Sequence, residues 1–192
     1  DRLYLCSALV EGRTLDSLIQ DAAPGGFPVA EAVRYTRLLA GALDYAHRQG
    51  VVHRDVKPQN VLVDALGEPH LTDFGLAARN LPGEERLTQE KSALGTPSYM
   101  APEQADGASV AASDQYALGC ALFEMLTGDT PFAGGPAQQI FLHKTQPPPR
   151  LRSLRKGVPR DLETICGKAG PAPTNMEIPK YEFVDANTIK IG

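Results

Sequence analysis

His53-Arg54-Asp55-Val56-Lys57-Pro58-Gln59-Asn60 is the stretch on which the fold turns, and Asp73-Phe74-Gly75 begins thirteen residues after its asparagine. Two carboxylates, a lysine and an amide are thereby held at fixed intervals in what reads as two loops. Val61-Leu62-Val63 and His70-Leu71-Thr72 flank a polar turn from Asp64 to Pro69 and read as two short strands between those loops. Val51-Val52 reads as a further short strand ahead of the octet. Upstream, Pro28 to Gln49 places Tyr35, Leu38, Leu39, Ala42, Leu43 and Ala46 on one helical face, with Gly50 just past its end. Downstream, Ser113-Asp114 opens an apolar helix from Gln115 that ends with Thr127 before Gly128. Leu118, Ala121, Leu122, Met125 and Leu126 recur there at three- and four-residue steps with few charges between, which predicts a helix buried on most sides. Taken singly, Asp55 and Asn60 have a bland use as turn caps around Pro58. The joint spacing outweighs it, because octet and tripeptide each constrain the other.

This H-R-D-x-x-x-x-N followed by D-F-G resembles the catalytic loop and metal-binding loop of protein kinases. Phosphoryl transfer needs little covalent help and much positioning. The resemblance makes Asp55 the base that orients the attacking hydroxyl and accepts its proton. It makes Asn60 and Asp73 the ligands of Mg2+, a cation that prefers hard oxygen donors and completes its shell with phosphate and water. Lys57, two residues beyond Asp55 on the same side of an extended loop, places a compact positive charge near the transferring phosphate. Its presence is similar to serine/threonine rather than tyrosine kinases. In the family His53 and Phe74 pack in a hydrophobic column beside Gly75, and Leu62 lies under the adenine ring of ATP.

The remaining order agrees with that resemblance. From Asp73 to Glu103 runs a stretch of 31 residues, polar in its middle and closing on Gly95-Thr96-Pro97-Ser98-Tyr99-Met100-Ala101-Pro102-Glu103. It resembles a kinase activation segment, and a loop this long in a compact domain is commonly functional. Thr96 would contact Asp55 and Lys57. Arg54, next to the base, would grip a phosphate carried by Thr88 or Ser92, which are otherwise plain polar loop residues. Asp114 is a helix cap by its position, and in the family the matching aspartate also supports the catalytic-loop backbone. Glu103 would pair with a later arginine, but no arginine follows Arg160, so that carboxylate is expected to lack its partner and loosen the segment.

The first dozen residues resemble the last small-lobe strand and the hinge, with the backbone of Ala8 and Val10 contacting adenine. No glycine-rich loop occurs and Lys57 is the first lysine, so the chain reads as a large lobe without its small lobe. The expected fold is mainly α with short β hairpins, of the kinase large (C-terminal) lobe type. Its division is residues 1–12 as strand and hinge, 13–166 as large lobe and 167–192 as an atypical tail. The large lobe holds the catalytic loop 53–60, the activation segment 73–103 and the central helix 114–127. Pro159 to Cys166 reads as a late helix broken by Gly167, Gly170, Pro171 and Pro173. In the tail, Lys180 to Val184 and Thr188 to Gly192 read equally as a hairpin about Asp185-Ala186-Asn187 or as a disordered terminus.

At 192 residues and 42% hydrophobic content the chain can bury one core. Nineteen basic against 23 acidic residues give no reason to expect nucleic acid or an anionic membrane as partner. Arg150, Arg152, Arg155, Lys156 and Arg160 read as a solvated basic face. Cys6, Cys120 and Cys166 are odd in number and far apart, which suggests free thiols in a reducing compartment. That points to the cytoplasm, or to the cytoplasmic part of a membrane-anchored parent. The resemblance implies transfer of the ATP γ-phosphate, with Mg2+, to a protein Ser or Thr. The alternative is a non-catalytic, kinase-like chain that only binds proteins. A small-molecule phosphotransferase is disfavoured by Gly95-Thr96 and Ala101-Pro102-Glu103, which serve a peptide platform. Oligomeric state is not legible.

Overall fold

A computed structural model describes residues 9–22, 25–74, 96–168, 181–183 and 189–191. Strand β1 (Gly12–Thr14) leads into helix α1 (Leu15–Ala22), and helix α2 (Val29–Arg48) precedes strands β2 (Val61–Asp64) and β3 (Pro69–Leu71). Helices α3 (Ala111–Thr127), α4 (Pro136–Thr145), α5 (Leu151–Leu154) and α6 (Arg160–Lys168) follow, then strands β4 (Tyr181–Phe183) and β5 (Ile189–Ile191). The protein is therefore helix-rich, with one three-stranded antiparallel sheet in the order β1-β2-β3 and a separate antiparallel pair β4-β5. In the central strand, Leu62 pairs with Thr14 on one side and His70 on the other. The tail segments pair as a hairpin with Glu182 opposite Lys190.

The core forms where α2 crosses α3. Ala32, Tyr35, Thr36, Leu39, Leu43 and Ala46 line the buried stripe of α2, the three- and four-residue spacing of a helix face. Leu38 is only half-buried and Ala42 is exposed, so the stripe is rotated slightly from the one read in the sequence. Almost every residue from Ser113 to Leu126 is buried, because other elements surround α3. This helix starts at Ala111, so Asp114 lies inside the first turn rather than ahead of it. Its opening is held by Ser113, whose hydroxyl accepts the Val110 N–H at 3.2 Å.

The other end of α3 is tied down by distant chain. The Phe27 N–H donates to the Met125 carbonyl at 2.7 Å. Arg155 donates to the Leu126 carbonyl at 2.8 Å and the Phe27 carbonyl at 2.6 Å. Arg155 thus leaves the basic surface expected of it and satisfies the Leu126 carbonyl at the end of α3, which would otherwise be orphaned. The close approach requires Gly26. At φ +73, a Cβ there would lie 2.6 Å from the Leu126 backbone. Gly26→Ala is expected to cost about 2 kcal/mol or more, from left-handed strain plus the clash, read as a lower urea midpoint. An unchanged midpoint would contradict this packing.

Two further boundaries differ from the sequence reading. Val51-Val52 forms no strand, because the Val51 N–H is used to end α2, bonding the Ala46 carbonyl at 3.0 Å while Gly50 bonds His47 at 2.9 Å. With Gly50 at φ 75, this is a Schellman ending. Helix α6 runs through Gly167 to Lys168. Buried Leu162 and Cys166 pin its last turns, which outweighs the roughly 1 kcal/mol helix penalty of one glycine.

Candidate active site

The ending of α2 delivers the chain to His53 at the head of the loop, and a short 3-10 turn, Pro58–Asn60, closes it. Strands β2 and β3 then bring the chain back. Asp64 sharpens their connection by accepting the Leu66 and Glu68 N–H groups at 2.9 Å each. Thr72 returns beside Asn60, donating to its carbonyl from the backbone at 2.9 Å and from the hydroxyl at 3.0 Å. A hairpin thereby sets Asp73 one residue from the Asn60 contact.

Polar groups converge on Asp55. Lys57 Nζ donates to Asp55 Oδ2 at 2.7 Å and to Thr96 Oγ1 at 2.8 Å. Asn60 Nδ2 donates to the Asp55 carbonyl at 2.8 Å and to Oδ2 at 3.0 Å. Asp55 and Lys57 remain 26% and 19% exposed, so the pair is reachable from solvent. The Asn60 amide nitrogen is committed to Asp55, which leaves its side-chain oxygen as the donor for a cation. Asp73 is exposed and sits at φ 62, a left-handed conformation unusual for a residue with a Cβ. One amide oxygen and one exposed carboxylate are a donor set that fits Mg2+ shared with phosphate oxygens.

Beneath the loop, Asp114 is 1% exposed and holds the backbone from below. Its Oδ1 accepts the Arg54 N–H at 2.8 Å, and its Oδ2 accepts the His53 N–H at 2.8 Å and His47 Nε2 at 2.7 Å. His53 Nε2 lies 2.8 Å from the Thr72 carbonyl and its Nδ1 lies 3.3 Å from the Asp55 N–H. A carbonyl only accepts and a backbone N–H only donates, so His53 is the neutral Nε2–H tautomer. Its ring centroid is 4.6 Å from that of Phe74. Arg54 itself adopts φ 72, and its side chain is exposed.

At the far side of the site, Glu103 is not left without a partner, contrary to the expectation from missing arginines. It accepts the Ser113 hydroxyl at 2.6 Å. Gln104 accepts the Ala101 N–H at 3.0 Å and donates to the Arg54 carbonyl at 2.9 Å. Leu62 and Val10 are half-buried. Ala8, Gly75, Thr88 and Ser92 lie outside the described residues, as does most of the segment 73–103.

Sequence reading missed four of these groups. His47 and Gln104 act through partners 67 and 50 positions away, and in the sequence Ser113 reads only as part of a helix start. The fourth is the pair of Tyr99 and Glu124, whose hydroxyl and Oε2 lie 2.6 Å apart in the core. The available signal was Glu124 as the one acid in the apolar run from Gln115 to Thr127. Burial pushes the Glu124 carboxyl up to about 7, against the pull of the Tyr99 hydroxyl and with added repulsion from Asp16 and Asp129. Burial likewise raises the Tyr99 hydroxyl and the thiols of Cys120 and Cys166, both of which are free and inert.

Because the Glu124 value is raised, the folded state keeps a proton that the unfolded chain has released from about pH 4.5 upward. Stability from this group is full below that pH and is lost as pH rises to about 7. His143, 1% exposed and bonded through Nδ1 to Tyr116 at 2.5 Å, works in the opposite sense, since burial lowers its pKa. Glu124→Gln keeps an acceptor for Tyr99 and removes only the carboxyl titration. Between pH 5 and pH 8 the wild type is expected to lose on the order of 1–3 kcal/mol more stability than the variant, by urea titration. Parallel profiles would contradict it.

A doubly held loop at His53 and Arg54, a lysine bridging Asp55 to Thr96, and a returning hairpin that carries Asp73 come together in one site. The protein kinase domain family matches residues 1–166, and the chain belongs to that family. Over 168 residues it is 36% identical to the serine/threonine-protein kinase PknB of Mycobacterium leprae and 40% identical to the probable serine/threonine-protein kinase PknB of Lactococcus lactis. In each case the match takes in 86% of this chain and 26% of the relative, so the chain spans about a quarter of those proteins. A crystal structure of the Mycobacterium tuberculosis PknI kinase domain superposes with a TM-score of 0.65 at 31% identity, covering 85% of this chain and 56% of that one. The fold is thus protein-kinase-like.

Proposed function

We propose that the chain is the large lobe of a serine/threonine protein kinase, working in the cytoplasm, whose parent transfers the ATP γ-phosphate to protein Ser or Thr. The observation that carries this is the convergence on one carboxylate: Lys57 at 2.7 Å and Asn60 at 3.0 Å meet on Asp55 Oδ2, and the same lysine holds Thr96. Asp55 orients the substrate hydroxyl and accepts its proton. Lys57 contacts the moving phosphate, and Thr96 keeps lysine and aspartate in register. Asn60 and Asp73 hold Mg2+, which when bound neutralises charge on the phosphates. The backbone of Ala8 and Val10 meets adenine over Leu62. Arg54, exposed beside the base, receives a phosphate on Thr88 or Ser92.

The 192-residue chain alone does not turn over, since no lysine precedes Lys57 and no glycine-rich loop covers the phosphates. The test is to fuse the small lobe of the M. leprae relative to its N-terminus and supply labelled MgATP and a Ser/Thr-containing protein. The expected product is phosphoserine or phosphothreonine, abolished by EDTA. Label on tyrosine, or metal-independent transfer, would overturn the assignment.

A further inference from the structure

We propose that Gln104 is a positioning residue for the phosphotransfer centre, fixing the Arg54–Asp55 peptide so that the Asp55 carboxylate faces its substrate. The inference rests on the kinase reading above. Arg54 occupies the left-handed region at φ 72, a conformation that persists only where its surroundings hold it. Its N–H is held by Asp114 Oδ1 at 2.8 Å. Its carbonyl, which belongs to the peptide that starts Asp55, is held by Gln104 Nε2 at 2.9 Å.

The Gln104 amide has a forced orientation. Oε1 takes the Ala101 N–H at 3.0 Å, so only Nε2 is left to face Arg54, and a carbonyl requires a donor there. One side chain therefore ties the end of the 73–103 segment to the residue before the base. Arg54, Asp55, Thr96, Tyr99 and Gln104 line a small open cleft at the joint. Directional bonds from Asp114 and Gln104 set the peptide plane. When residues 101–104 shift, the Arg54 carbonyl loses its partner and the base loses its aim.

The test uses Gln104→Glu, which keeps the acceptor for Ala101 but has no donor for Arg54, and Gln104→Met, which has neither. In the 192-residue chain the Arg54 carbonyl carbon is read by NMR through the Asp55 amide. Both variants are expected to move that carbonyl signal, only Gln104→Met to move the Ala101 amide, and neither to change the thermal midpoint greatly. In the small-lobe fusion, Gln104→Glu is expected to lower kcat about tenfold, with KM for MgATP unchanged. An unmoved Arg54 carbonyl in Gln104→Glu, or unchanged kcat in a fusion whose wild type turns over, overturns the proposal. If the wild-type fusion shows no turnover, the kinase reading fails, and the carbonyl signal still decides whether Gln104 fixes the peptide.

Discussion

Asp114→Ala is expected to lower the unfolding free energy of the chain by about 3–5 kcal/mol, the cost typical of removing one partner from a buried charged network. The carboxylate is 1% exposed and accepts three bonds, from His53 N–H, Arg54 N–H and His47 Nε2, all between 2.7 and 2.8 Å. Alanine would leave all three donors without their acceptor, the His53 N–H in a buried position. It would also release Arg54 from its left-handed conformation, because nothing would then hold the N–H. Asp114→Asn, which retains one acceptor oxygen, should cost less, about 1–3 kcal/mol. Urea unfolding gives both values, and amide exchange at His53 and Arg54 reports where the loss falls. A loss below about 1 kcal/mol for the alanine variant would mean that Asp114 is not what pins the loop.

The second large effect is chemical. Asp55→Asn, placed in the small-lobe fusion, is expected to reduce kcat by about 10²–10⁴-fold, the range for losing a positioned general base. The substitution keeps the size of the side chain. It can still accept a bond from Lys57 or Asn60, both within 3.0 Å of Oδ2. The thermal midpoint should therefore move little, which separates lost chemistry from lost folding. A variant that retains near-full kcat would remove Asp55 from the role of base and leave it as a loop residue.

Spacing along the chain made the floor of the site legible. Asp55, Lys57 and Asn60 lie within six residues, and a single hairpin returns Asp73 to Asn60, so local geometry brings them together. What stayed hidden depends on contacts between distant elements. His47 looked like one more residue in the last turn of an apolar helix, and only the crossing of α2 and α3 sets it 2.7 Å from Asp114. Glu103 was expected to suffer for want of an arginine, yet a neutral hydroxyl from Ser113 reaches it at 2.6 Å. Arg155 was read as surface charge because sequence does not reveal that the end of α3 is buried and short of donors. Val51-Val52 carried a strand composition, but the helix ending at Gly50 had prior use for the Val51 N–H. For His47, Glu103 and Arg155 a partner on another element decided the matter, whereas for Val51 a local helix ending overrode strand composition.

If the chain is the large lobe proposed above, Asp55, Lys57, Asn60 and Asp73 form an active-site floor that acts only beneath a small lobe. Side-by-side transfer of label from MgATP to a Ser/Thr protein, by the 192-residue chain and by its small-lobe fusion, tests that most directly. The expected result is no turnover from the chain alone and Asp55-dependent turnover once the small lobe is added. Asp55-dependent turnover by the chain alone, or none from a fusion shown to be folded, would contradict it.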